Sequence, residues 1–241
     1  MPPETEMGGP VGDFPPTRWT LVLASRETPE ARRRALEELM GSYWRPLYVF
    51  ARRKGLNIES AKDAVQGFMA QLLDRDFLAR LDPGKGSLRG YLKASIQHFL
   101  VNQREGASAR KRGGGRTPVA LDFDVAEHQA GAAPAQAEDA FDREWAAGIM
   151  ERAVARLRRE FEEGGRKGPF DLVLRFFGFG AAPSHADAAR EHGMSVSQLK
   201  AFLHRARLRF RGIVREEVAR TTAEPAEVDA EIARLLKALA P

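Results

Sequence analysis

Apolar positions recur every three or four residues along most of this chain, a spacing that predicts helices. From Pro29 to Lys54 the residues Leu36, Leu39, Met40, Tyr43, Leu47 and Phe50 share one helical side, with Pro46 inside marking a kink or a restart. Gly55 suits a C-cap. Ser60 suits the N-cap of a second helix to about Leu73, with Ala64, Val65, Phe68, Met69, Leu72 and Leu73 on its apolar side. The run from Asp82 to Ser87 reads as a turn. From Ser87 to about Arg104 the positions Leu88, Tyr91, Leu92, Ser95, Ile96, Phe99 and Leu100 are helical again. Alternation of β-branched residues never lasts more than a few positions, so the class predicted is all-α.

Periodicity fails from Gly106 to about Ala137, where Gly, Ala, Pro and Ser gather around Gly113-Gly114-Gly115, and a flexible linker is expected there. A helix resumes near Ala137 with Phe141, Trp145, Met150, Val154, Leu157 and Phe161 on one side, and Gly164-Gly165 ends it. Shorter helices are expected at 169–177, 184–192 and 195–217, and an amphipathic helix at Val228–Leu239. The pattern therefore predicts two small helical domains, at 17–105 and 138–217. They are joined by the linker 106–137, preceded by a disordered 1–16 and followed by an acidic extension, 218–241.

Composition narrows the chemistry. A chain of 241 residues buries a core without disulfides or metals to staple it. Zero cysteines exclude thiolate chemistry, disulfides, iron–sulfur clusters and Cys-based zinc sites. His98, His128, His185, His192 and His204 show no metal-ligand spacing, so no metal or other cofactor is expected. Residues 1–17 are acidic and rich in Pro and Gly, without a signal pattern, and no 18-residue apolar run exists; a cytoplasmic protein with no membrane partner is expected. The net charge of +5 fits a nucleic-acid partner without requiring one, and GC-rich codon usage accounts equally well for the excess of Arg over Lys. Charge is unevenly placed: residues 104–116 carry five basic side chains and one acid, whereas 120–144 carry seven acids and one Arg.

Residues 184–211 carry the most specific pattern. Ser184 caps a short helix through Glu191, Gly193 supplies a left-handed turn residue, and Ser195 caps a second helix. Ala189, Gly193 and Leu199 have the spacing of a helix-turn-helix, in which a small residue allows close approach, a glycine turns the chain and an apolar residue packs the second helix on the first. Leu199, Leu203, Ala206, Phe210 and Ile213 form the expected buried stripe. Residues 195–211 hold five Lys or Arg and no acid, whereas a merely solvated helix usually mixes signs. Read as a DNA-binding helix, Ser197, Gln198, Lys200, Ala201 and His204 reach base edges, and Arg205, Arg207 and Arg209 hold phosphates. The alternative is a helical hairpin with a basic exposed face.

Further upstream, Asp63, Gln66 and Gly67 share one helical side beside an apolar face. In the next helix, basic and polar residues are interleaved with an aromatic along one expected exposed side: Lys85, Arg89, Tyr91, Lys93, Gln97, His98, Asn102 and Arg104. Cations that track phosphate beside a ring that stacks on an unpaired base suit single-stranded nucleic acid. Tyr91 also lies in the apolar stripe, so it is equally placed for the core.

Taken together, these segments resemble the bacterial RNA polymerase sigma factors of the extracytoplasmic-function (group 4) type, which keep only two helical regions, region 2 and region 4. The resemblance runs through Thr17-Arg-Trp-Thr-Leu-Val-Leu-Ala, Tyr43-Trp-Arg-Pro-Leu-Tyr, Asp63-Ala-Val-Gln-Gly-Phe-Met, the Gly86–Arg104 helix and Ala109-Arg-Lys-Arg-Gly-Gly-Gly. It resumes at Phe141-Asp-Arg-Glu-Trp and covers the helix-turn-helix to Phe210. It implies a non-enzymatic specificity subunit that binds core RNA polymerase, through the clamp helices of the largest subunit and the flap, and promoter DNA. It implies core-polymerase contacts at Asp63, Gln66, Phe68 and Met69. It further implies −10 contacts and melting along Lys85–Arg104, and −35 contacts along Val196–Arg209. His98 stands where many relatives have Asn, and Met69 and Gly67 stand where Phe and Glu are frequent. An anti-sigma factor or other regulator is a further partner class. The alternatives are a stand-alone helix-turn-helix regulator with an N-terminal sensing or dimerisation domain, and an enzyme. Gly84-Lys85-Gly86-Ser87 has the look of a phosphate loop but lacks its glycine spacing and flanking strand.

Overall fold

A computed structural model describes residues 28–72, 87–107, 136–164, 167–222 and 224–240. These residues are helical, with no strand among them, so the all-α class holds. Helix α1 (Pro29–Arg53) starts where the Thr28 hydroxyl accepts from the Ala31 amide at 3.1 Å, with proline in its first turn. It runs through Pro46 without the predicted restart; Pro46 is buried, and packing offsets the hydrogen bond its ring removes. Gly55, at φ 90°, turns the chain into α2 (Ile58–Leu72). The cap of α2 is Asn57, whose side chain accepts from the Ser60 amide at 2.8 Å; Ser60, expected in that role, lies inside the helix. Helix α3 (Leu88–Ala107) starts at Ser87, whose hydroxyl accepts from the Gly90 amide. The expected linker lies outside the described residues except for its first two and last two positions, the first two being the end of α3, and the side chain of Leu36 also falls outside them.

Helix α4 (Ala137–Glu163) is the longest among the described residues and joins both cores. Its first half packs on α1–α3. Phe141 meets Phe50 edge-on at 6.3 Å, and Trp145, Ala146 and Ile149 join a core with Tyr43, Leu47, Val65, Phe68, Leu92 and Ile96. Its second half, through Ala153, Leu157 and Phe161, builds another core with α5 (Lys167–Phe176), α6 (His185–Glu191) and α7 (Val196–Ala219). Residues from both sides of the expected linker therefore share the first core. A 3-10 turn at Pro225–Glu227 leads to α8 (Val228–Leu239), whose bounds match the sequence pattern and whose Val228 and Leu235 also enter the first core. No helix among the described residues is long and apolar enough to cross a membrane.

Candidate nucleic-acid interface

The helix-turn-helix is built from local rules. Ser184 caps α6 by accepting from the Asp187 amide at 3.1 Å. The helix ends with the Met194 amide on the Ala189 carbonyl (2.8 Å) and the Gly193 amide on the Arg190 carbonyl (3.3 Å), the paired bonds of a glycine-terminated helix. Gly193 has φ 63°, which a side chain would strain, and open space where a Cβ would stand. The start of α7 is then fixed by a reciprocal pair: the Gln198 amide donates to the Ser195 hydroxyl at 3.1 Å, and the Ser195 amide donates to the Gln198 side chain at 2.8 Å. Ala189 and Leu199 are buried against each other's helices, as the spacing predicts, with Leu203, Ala206 and Ile213 below them. Phe210 is only partly buried, against Phe177 at 5.4 Å.

Ser197, Gln198, Lys200, Ala201, His204, Arg205 and Arg207 are all exposed on the outer side of α7. Arg209 departs from the expectation. It grips both carboxylate oxygens of Glu160 on α4, at 2.6 and 2.8 Å, and reaches Glu216 at 3.1 Å, which raises its pKa and lowers that of Glu160. It ties α7 to α4 and is not available to phosphate. Among the described residues no carboxylate pairs with Lys200, Arg205, Arg207 or Arg211; Arg207 donates instead to the Phe176 carbonyl at 3.3 Å.

The chain matches no family model, no curated protein and no solved structure.

The N-terminal candidates divide in the same way. On α2, Asp63 is exposed and Gln66 half-exposed, but Phe68 and Met69 are interior residues, at 0% and 2% exposure, and offer nothing to a partner surface. Phe68 meets Phe99 of α3 edge-on at 5.7 Å, and the Phe99 ring lies 3.2 Å from where a Cβ on Gly67 would stand. Apolar periodicity marked Phe68 and Met69 as one side of a helix without saying that α3 and its neighbours cover that side. On α3, Gln97, His98 and Asn102 are exposed, Tyr91 is half-buried against the first core, and Lys85 and the side chain of Arg104 lie outside the described residues. Arg89 is corrected most sharply: expected on an exposed side, it is 5% exposed. Its guanidinium donates to Glu231 of α8 at 3.1 Å and to Asp142 of α4, and lies 5.0 Å from the Trp145 ring centre. Lys93 is drawn to the same Asp142, at 2.9 Å, and stands over the Phe141 ring.

Charges found only in three dimensions complete the picture. Burial pushes the Glu231 carboxyl up, but the hydrogen bond and charge of Arg89, with Ser87 and Arg234, outweigh it and hold the carboxyl below its ordinary value. Glu138 is held low by the Lys54 ammonium at 2.7 Å, and Arg45 meets Glu151 at 2.8 Å. Sequence reasoning named neither Asp142 nor Glu231. The run of acids over 120–144 was the only available signal, and for Glu231 there was none beyond an acid on an amphipathic helix. No cluster of His, Asp and Glu able to hold a metal occurs among the described residues.

Proposed function

We propose that this protein is a dissociable sigma factor of the extracytoplasmic-function type, a cytoplasmic subunit that lends promoter recognition to core RNA polymerase and has no catalytic centre of its own. The observation that carries this reading is the capped helix-turn-helix, whose second helix presents Lys200, Arg205, Arg207 and Arg211 with no carboxylate partner among the described residues. Phosphate is the partner such a face fits, because unopposed cations gain most from releasing the counterions of DNA. Ser197, Gln198, Lys200, Ala201 and His204, nearest the N-terminus of α7, are placed to read bases of a −35 element in the major groove, while Arg205 and Arg207 hold its backbone. Gln97, His98 and Asn102 of α3 meet the −10 element. The exposed side of α2 around Asp63 and Gln66 docks on the clamp helices of the largest subunit, and the second domain contacts the flap.

In this reading the region-2-like part, whose core also takes in the first half of α4 and α8, and the helix-turn-helix part are the two DNA-binding units. Each binds DNA weakly alone, and they act together when the polymerase holds them at promoter spacing. A modest net charge of +5 suits a subunit that binds DNA poorly until docked. An anti-sigma factor is a natural regulator for such a protein. Run-off transcription with purified core polymerase on a genomic fragment library tests the proposal: defined transcripts that depend on this protein support it. A footprint over a palindrome without polymerase, and no transcript with it, would assign the chain to the stand-alone helix-turn-helix regulators.

A further inference from the structure

Among the described side chains, the side of α3 that faces solvent is uncharged. Ala94, Gln97, His98, Val101, Asn102 and Gln103 are its exposed residues, while both described cations of the helix, Arg89 and Lys93, are turned toward acids from distant parts of the chain. Neither of these two cations is thus left to draw the helix toward phosphate. We propose that Asp142 of α4 and Glu231 of α8 form an intramolecular clasp that stands in for phosphate, keeping α3 from nucleic acid until α8 swings away. This rests on the sigma-factor reading above and assigns that reading a built-in off state.

Three features support a clasp that opens. The carboxylates match phosphate in chemistry: Arg89 meets Glu231 through two nitrogens, at 3.1 and 3.5 Å, and Asp142 through a third, so an anionic backbone can replace them donor for donor. The moving part is small. Helix α8 has 12 residues; Val228 and Leu235 enter the first core, Ile232 and Ala238 pack against it and Asp229 meets Arg215 of α7, so it would open as one short unit. Finally, the contact is not closed tight. A cleft of about 540 Å³ separates the start of α3, at Ser87, Gly90 and Tyr91, from Ala230 and Arg234 of α8. Acids near this point also hold α1, through Lys54 with Glu138 and Arg45 with Glu144 at 3.6 Å, so the acid-rich start of α4 serves as the fixed jaw and α8 as the movable one.

The test uses the whole 241-residue chain, which has no cysteine of its own. Gly90→Cys with Ala230→Cys, both in the cleft wall, lets a short bismaleimide with a reducible centre tie α8 to α3 with all charges and the Ser87 contact to Glu231 native. Binding of a short labelled single-stranded DNA is followed by anisotropy, and transcription with core polymerase by run-off. The tied protein should bind the strand roughly tenfold more weakly than the untied one and recover when reductant cuts the tie. Asp142→Asn with Glu231→Gln should bind it more tightly, with a salt dependence steeper by about 1.4 in log–log slope, since two cations become free for single-strand phosphates. If tied and untied proteins bind and transcribe alike, the clasp is refuted, and this arm decides even if the double substitution does not fold. If neither the untied chain nor the Asp142→Asn, Glu231→Gln chain, in which the clasp cannot close, yields a transcript, it is the sigma-factor reading that fails. The clasp is then judged on the single-strand binding alone.

Discussion

Arg205 and Arg209 of α7 are both cations in a run free of acids, yet the structure gives them opposite roles, and substitution should separate them. Four cations on this helix, Lys200, Arg205, Arg207 and Arg211, have no carboxylate partner among the described residues. If each meets one duplex phosphate, the affinity for −35 duplex falls with salt at a log–log slope of about −3.6, roughly a 150-fold loss for a fourfold rise in salt. Arg205→Ala should bring the slope to about −2.7, roughly a 40-fold loss over the same range. Arg209→Ala should leave the slope unchanged, because its guanidinium is already held by Glu160 and Glu216. It should instead lower stability by about 1 kcal/mol, the upper end for a part-exposed ion pair, through loosening α7 on α4. Fluorescence anisotropy across a salt series gives the slopes and urea unfolding gives the stability. Equal slope changes for the two variants would refute the division.

Other expectations are more compact. Phe68→Ala should cost about 3–5 kcal/mol in urea unfolding because the ring is fully buried, whereas Asp63→Lys should leave stability within about 0.5 kcal/mol yet weaken co-purification with core polymerase. Gly193→Ala meets no atom but forces a side chain into the left-handed region, so a loss of about 1–2 kcal/mol is expected, with the helix-turn-helix retained by NMR. The carboxyls of Glu231, Glu160 and Glu138 all lie below their ordinary value of 4.5 in the folded chain. Their stabilisation is therefore complete above that pH and is lost as pH falls below it. Thermal midpoints measured through the acid range should fall accordingly, and Glu231→Gln should flatten the decline. A Glu231→Gln curve parallel to that of the native chain would show that this carboxyl is not the one that titrates.

What could be read in the chain and what could not follow from the range of the forces involved. The caps at Ser184 and Ser195, the turn at Gly193 and the stripe Leu199, Leu203 and Ala206 depend on residues within a few positions of one another, and local spacing was enough to place them. Where a local rule had two equivalent carriers it misplaced the detail, as with Asn57 and Ser60. Pro46 was read as a kink or a restart, and the helix does not restart there, because the sequence counts the lost hydrogen bond and does not see the packing that offsets it.

The sequence by itself thus determined the all-α class, most helix bounds and a basic helix-turn-helix. Which charged side chains are free was decided only by the tertiary structure. Arg89 and Glu231 are 142 positions apart and Arg209 and Glu160 are 49 apart, and no periodicity relates them. Helical spacing separates a residue that faces its own apolar stripe from one that faces away. What arrives to cover the outward side depends on how α4 and α8 pack, and that choice turned Arg89, Lys93 and Arg209 from open cations into closed ones.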